Sequence, residues 1–445
     1  MKKKMIVTLC LMLVALTLAA CGGTNNNAES GSSPQEPANT AEAPAESTDA
    51  NAAGAGTEAE STGPAKPAEL TIWPDDNADK VAVIEVAARK YTEQTGIKIN
   101  IKPVAMNDQP DVLALDGPAG KGPDLFYQPG IGSLVVKGLV QEVKTDDAAK
   151  ELYTPEALQA LSQEGVLHGL PLVTETYALF YNKKLIPQAP AMIAELETIM
   201  KEKTDAKKQE YGFLFAATDF YFAWGLLGGS GGYIFKDNAG IFDISDIGLN
   251  KEGAVKGANL IQSWFTKGYL PKGINGDTVG GLFTQGKVAA VVNGPWAITD
   301  YKKALGDDLA VAPLPTLEDG AHPTSFIGVK GWMLSKFSKN PEWASDFAAF
   351  LTNEENALEY FKKTGEVPPV KTVLNNPVLT GDPLVSGFSS QIQYGQPFPT
   401  VPELDHVWDP MANALKFITD GKDTQTSLDD AVKLINDKMK MAGVK

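Results

Sequence analysis

The side chains of this sequence that could do chemistry are carboxylates and aromatic rings. Asp75-Asp76 follow a short apolar run, Glu175 lies between two others, and Asp219 opens the segment Phe220-Tyr221-Phe222-Ala223-Trp224. Tyr127 ends another run and Trp296 follows the turn Asn293-Gly294-Pro295. A pocket that mixes ring faces with a few convergent polar groups is the usual form of a small-molecule site. Paired carboxylates could instead serve as general acid and base.

Other chemistries lack their parts. Cys10 and Cys21 are the only cysteines, both near the N-terminus, which leaves no thiol for a disulfide or a thiolate metal site in the remainder. His168, His322 and His406 are far apart and have no metal-like partner at helical spacing, so no metal is expected. The glycines of 228–232 do not follow a strand as GxGxxG, and neither a GxxxxGK[ST] loop nor a GxSxG elbow is present. No cofactor is expected. The net charge of −16 argues against nucleic acid or an anionic membrane surface as partner.

The elements needed to position these residues are legible. Val288 to Val292 reads as a buried strand, Asn293-Gly294 as a turn, and Pro295 as the first residue of a helix. Trp296 then stands at the mouth of a strand–turn–helix unit, where open α/β sheets bind ligands; the alternative is a core Trp at a helix start. Leu70 to Trp73 is a strand, 78–95 a helix closed by Gly96, Ile97 to Ile101 a strand, and Gly122 to Tyr127 another. This strand–helix rhythm predicts parallel sheets covered by helices. Strands are also expected at 167–172, 178–182, 310–314 and 327–334. Helices are expected at 251–267, 278–286, 295–305, 341–351, 354–363, 384–394, 406–420 and 426–441. Asp75 or Asp76 could simply cap the first helix, Glu175 could be a solvated loop residue, and Tyr181 and Trp264 read as core.

Lys2-Lys3-Lys4, an apolar stretch to Ala20, and Leu18-Ala19-Ala20-Cys21 resemble the lipoprotein signal of exported bacterial proteins, with lipid carried on Cys21. Residues 21–68 are a low-complexity spacer without large apolar residues, expected to be disordered. Roughly 375 residues follow it, enough for two domains.

Leu70-Thr71-Ile72-Trp73, Thr95-Gly96-Ile97-Lys98, Gly122-Pro123-Asp124, Leu179-Phe180-Tyr181-Asn182-Lys183, Gly231-Gly232-Tyr233, Asn293-Gly294-Pro295-Trp296 and Leu314-Pro315-Thr316 occur in this order. Together they resemble the maltose/maltodextrin-binding proteins of ABC sugar importers. The resemblance implies a two-lobed α/β, periplasmic-binding-protein-like fold of class II. Lobe one would take 69–172 and 317–383, and lobe two 176–309 and 384–445. Hinges would lie near 173–175, 310–316 and 382–384. It implies a binding protein rather than an enzyme, monomeric, delivering sugar to a permease with a cytoplasmic ATPase. With the anchor, it implies the outer face of the cytoplasmic membrane of a Gram-positive cell.

Carried over, the sugar-binding positions fall on Asp75, Asp76, Tyr127, Glu175, Asp219, Tyr221, Trp224, Trp296, Phe398 and Trp408. Rings stack on the C–H faces of pyranoses, and carboxylates accept charge-assisted hydrogen bonds from their hydroxyls. The family's Asp-Arg pair after the Tyr127 position is replaced here by Gln128-Pro129-Gly130-Ile131-Gly132, and its late Arg by Ala412. Maltodextrin is therefore the first expectation, with a galacto-oligosaccharide or another β-linked oligosaccharide the alternative. A secreted glycoside hydrolase, working through a carboxylate pair, is the remote one.

Overall fold

The helix Ala78–Thr95 shows how closely local sequence sets the elements around the site. Asn77 accepts the N–H groups of Asp79 (3.1 Å) and Lys80 (3.2 Å), and Gly96 ends the helix at φ 73°. Neither aspartate is the cap. Asp75 instead accepts the N–H groups of Asp76 (3.1 Å) and Met106 (3.2 Å), fixing the loop after the first strand. The structure, a computed structural model, describes residues 64–238 and 241–443. The leader, Cys21 and the spacer up to residue 63 lie outside the described residues. The end of the expected spacer is described: the Trp343 indole N–H points at the carbonyls of Pro64 (3.3 Å) and Ala65 (3.1 Å).

Two sheets carry the molecule. In the first, Glu69–Trp73 lies between Lys98–Ile101 and Leu125–Gln128, parallel to both. Phe326–Leu334 is antiparallel to Leu125–Gln128 and to Gly169–Glu175, and its start pairs in parallel with Gln396–Pro397. In the second, Val288–Asn293 runs parallel to Tyr211–Leu214 and antiparallel to Ala178–Asn182, which Leu309–Ala312 flanks. Both sheets are thus mixed rather than parallel. The cause is the chain's repeated crossing between sheets, which brings returning strands back in the opposite direction.

Each sheet has its own core, which makes the architecture two-lobed α/β. One core draws on residues between Leu70 and Val173 and between Val329 and Val385. The other draws on residues between Tyr177 and Phe326 and between Leu384 and Met439. Leu309–Ala312 is hydrogen-bonded into the second sheet, Leu314 and Leu317 pack in the second core, and the chain reaches the first core only at Val329.

Candidate functional site

A cleft of about 2090 Å³ opens between the lobes. The carboxyl ends of strands from both sheets reach it. Glu69–Trp73 delivers Asp75, Leu125–Gln128 delivers Gln128 and Pro129, and Val288–Asn293 delivers Asn293 and Trp296. Seven of the expected residues line the cleft: Asp75, Glu175, Asp219, Tyr221, Trp296, Phe398 and Trp408.

The turn that aims Trp296 is held locally. Asn293 accepts the Gly294 N–H at 2.9 Å and donates to the Tyr301 hydroxyl at 2.8 Å. Gly294 has an ordinary extended backbone (φ −100°), so its lack of a side chain matters for space, not for conformation. A Cβ there would overlap the outer edge of the Trp296 indole. The rings form a continuous apolar wall. Tyr221 stacks on Phe398 at 6.1 Å, Trp296 is tilted against Tyr221 at 6.2 Å, and the buried Phe326 backs the wall, stacked on Phe398 at 4.5 Å. Phe398 and Trp408 meet at 6.0 Å.

Three expected residues do not line the cleft. Asp76 is exposed beside it. Tyr127 is 2% exposed because its strand is covered on both faces, with its ring 5.6 Å from that of Trp332; the next residue, Gln128, takes the place at the wall. Trp224 is fully buried, stacked on Phe326 at 5.2 Å. In the helix Phe220–Gly229, 220, 223, 224 and 227 share the inner face, while Tyr221 and Phe222 turn toward the cleft.

A model of the bacterial extracellular solute-binding protein family matches residues 86–387. The chain belongs to this family. Among curated relatives, the solute-binding protein is 36% identical to the galactooligosaccharide-binding protein of Bacillus subtilis, over 99% of this chain and 98% of that one. It is 34% identical to the maltodextrin-binding protein MdxE of the same organism, over 81% of this chain and 88% of that one. Among solved structures, a cyclo/maltodextrin-binding protein complexed with maltotetraose is 43% identical, with a TM-score of 0.74, covering 85% of this chain and 98% of that one. MalX from Streptococcus pneumoniae, in complex with maltopentaose, is 32% identical with a TM-score of 0.77, covering 83% and 100%.

Under the rings of this solute-binding protein lies a charged floor in which Asp75 and Glu175, both expected, are joined by Lys330, Lys80 and Glu366, which were not. Lys330 is 2.6 Å from Glu175, with both side chains under a tenth exposed. Its ammonium is also 5.0 Å from the centre of the Trp296 ring. Burial raises the Glu175 carboxyl above the usual carboxylate range against the pull of Lys330. Burial alone would lower the Lys330 ammonium, but the combined fields of Glu175, Glu366 and Asp75 raise it. Lys80, also at the wall, lies 3.0 Å from the buried Glu366 and 3.9 Å from Asp75. Tyr360 donates to Glu366 at 2.9 Å. A signal existed for Lys330, the one charge in the otherwise uncharged run Phe326–Leu334.

Asp219 caps its helix through the Tyr221 N–H at 3.0 Å. Desolvation by its surroundings raises its carboxyl, and that N–H opposes the shift; its edge stays open to the cleft. Counting all lining residues, eight carboxylates face three ammonium groups. Among the described residues, no three His, Cys, Asp or Glu side chains gather as a metal site.

Proposed function

We propose that this protein captures a neutral oligosaccharide, maltodextrin first, in the cleft between its lobes and hands it to an ABC importer. The supporting observation is the wall of Tyr221, Trp296, Phe398 and Trp408 set beside Asp75, Glu175 and Asp219 at strand and helix ends. Rings take the C–H faces of sugar units and carboxylates take their hydroxyls. The excess of carboxylates disfavours anionic ligands such as uronates or sugar phosphates. The lobes would close about the segments at 173–177, 326–329 and 384–385, because the sugar meets both lobes only when they approach. Lipid on Cys21 would hold the protein, a monomer, at the outer face of a Gram-positive cytoplasmic membrane.

The 36% identity to a galactooligosaccharide-binding protein over 99% of the chain favours a β-galacto-oligosaccharide as the second reading. Calorimetric titration of residues 62–445 with maltotriose and, in parallel, with a β-galactobiose separates the two. Saturable binding of maltotriose alone supports the first, binding of galactobiose alone the second. Failure of both sugars to bind would refute the sugar-capture reading.

A further inference from the structure

The strand Phe326–Leu334 is buried along nearly all its length, yet carries Lys330 in its middle. A buried ion pair is poor support for a fold, since well-packed apolar residues of similar size often serve as well or better. Stability therefore gives little reason for a lysine here. Its surroundings do. Lys330 reaches the cleft wall, is held beside Glu175, and sits near the face of Trp296, which arrives from the other lobe. An ammonium has three N–H donors. Among the described residues Glu175 is the one carboxylate paired with it, at 2.6 Å. Close by, the Tyr221 hydroxyl lines the cleft, is buried, and has no hydrogen-bond partner among the described residues, and the Glu175 charge acts on it. Donor capacity and an unpartnered hydroxyl thus converge on the space beside the Trp296 ring.

Each hydroxyl of a vicinal diol can both donate and accept. A lysine and a carboxylate 2.6 Å apart match that pattern: the ammonium donates to one oxygen while the carboxylate accepts from its neighbour. We propose that Lys330 is a specificity-determining residue of the cleft. With Glu175 it reads two adjacent hydroxyls of the sugar unit stacked on Trp296. This rests on the oligosaccharide reading above.

The test uses calorimetry with the parent sugar, whichever of maltotriose or β-galactobiose binds, and its monodeoxy analogues, on the unaltered chain and on Lys330→Met. Expected is a loss of roughly 10- to 100-fold in affinity for the parent sugar in Lys330→Met. At least one monodeoxy analogue should bind the unaltered chain more weakly than the parent, yet bind Lys330→Met as well as the parent does. That non-additivity marks a direct contact, which a merely structural lysine would not produce. Should Lys330→Met fail to fold because Glu175 is left alone, the double variant Glu175→Gln with Lys330→Met removes both charges and should show the same insensitivity to the deoxy position. Parent binding within about twofold of the unaltered chain, or equal losses across all analogues, would overturn the proposal while leaving the sugar reading intact. No binding of any sugar by the unaltered chain would overturn both.

Discussion

Two substitutions at one turn test whether the Trp296 ring carries ligand binding. Trp296→Ala removes the indole. Gly294→Ala keeps it but places a methyl group where the ring's outer edge now lies, so the ring must swing away. The backbone accepts alanine at φ −100° without strain. A Trp side chain offers roughly 150–250 Å². If a sugar unit covers about a third of that, roughly 50–80 Å² leaves water, worth about 1–2 kcal/mol at ~25 cal/mol per Å². Both variants should therefore bind the cognate oligosaccharide about 5- to 25-fold more weakly, at 1.4 kcal/mol per decade. The assay is calorimetric titration, with thermal unfolding followed by circular dichroism to establish that both variants fold. Trp296→Phe retains a face and should lose less. Affinity within threefold of the unaltered protein in both Trp296→Ala and Gly294→Ala would refute the placement of a sugar on this ring.

Three other outcomes follow from the same geometry. Gln109 is fully buried, donates to the carbonyls of Trp73, Pro74 and Val104 at 3.3, 3.2 and 2.9 Å, and accepts the Tyr127 N–H at 3.0 Å. Gln109→Leu should destabilise the protein by about 3 kcal/mol or more in denaturant titrations, since several buried groups lose their partner. Lys80→Met strands Glu366, whose side chain is 0% exposed, and should cost about 3–5 kcal/mol; an unchanged midpoint would mean Glu366 is neutral or rehydrated. Because the Asp219 carboxyl titrates above its usual value, sugar affinity should be full at neutral pH and fall as pH drops through that raised value, and Asp219→Asn should flatten the fall. The same sign makes ionised Asp219 a burden on the fold once pH exceeds its unfolded value, so Asp219→Asn, which still caps Tyr221, should not lower the melting temperature at pH 7.

How much was legible depended on whether the cause of a feature is local. The helix Ala78–Thr95 starts and stops where Asn77 and Gly96 dictate, and the strand, turn and helix around Trp296 follow from Asn293-Gly294-Pro295. Distant causes were not legible. Whether Tyr221 or Trp224 meets the cleft depends on Phe326, a hundred residues away, against which Trp224 packs. Tyr127 disappears because Trp332 returns antiparallel beside it. The hairpin of Phe235–Asn238 and Ile241–Ile247, which brings Phe242 to the cleft, and the helix Ile193–Lys203 were not anticipated from periodicity. Lys330 is not legible because one charge in an apolar run reads as noise until Glu175 is seen beside it.

The strand Phe326–Leu334 begins in one core and ends in the other, with Gly328 opposite Glu175 and Lys330 opposite Val173. The residues that would select the cargo therefore share a ribbon with the joint about which the lobes would bend. If the lobes bend there, selection for a new sugar at this position would also change how readily the two halves part. A lineage altering its diet through Lys330 would alter its release rate in the same step. Cargo preferences should drift more freely at Phe242, which reaches the cleft from the hairpin of Phe235–Asn238 and Ile241–Ile247, and change here only alongside compensating substitutions in the adjoining strand.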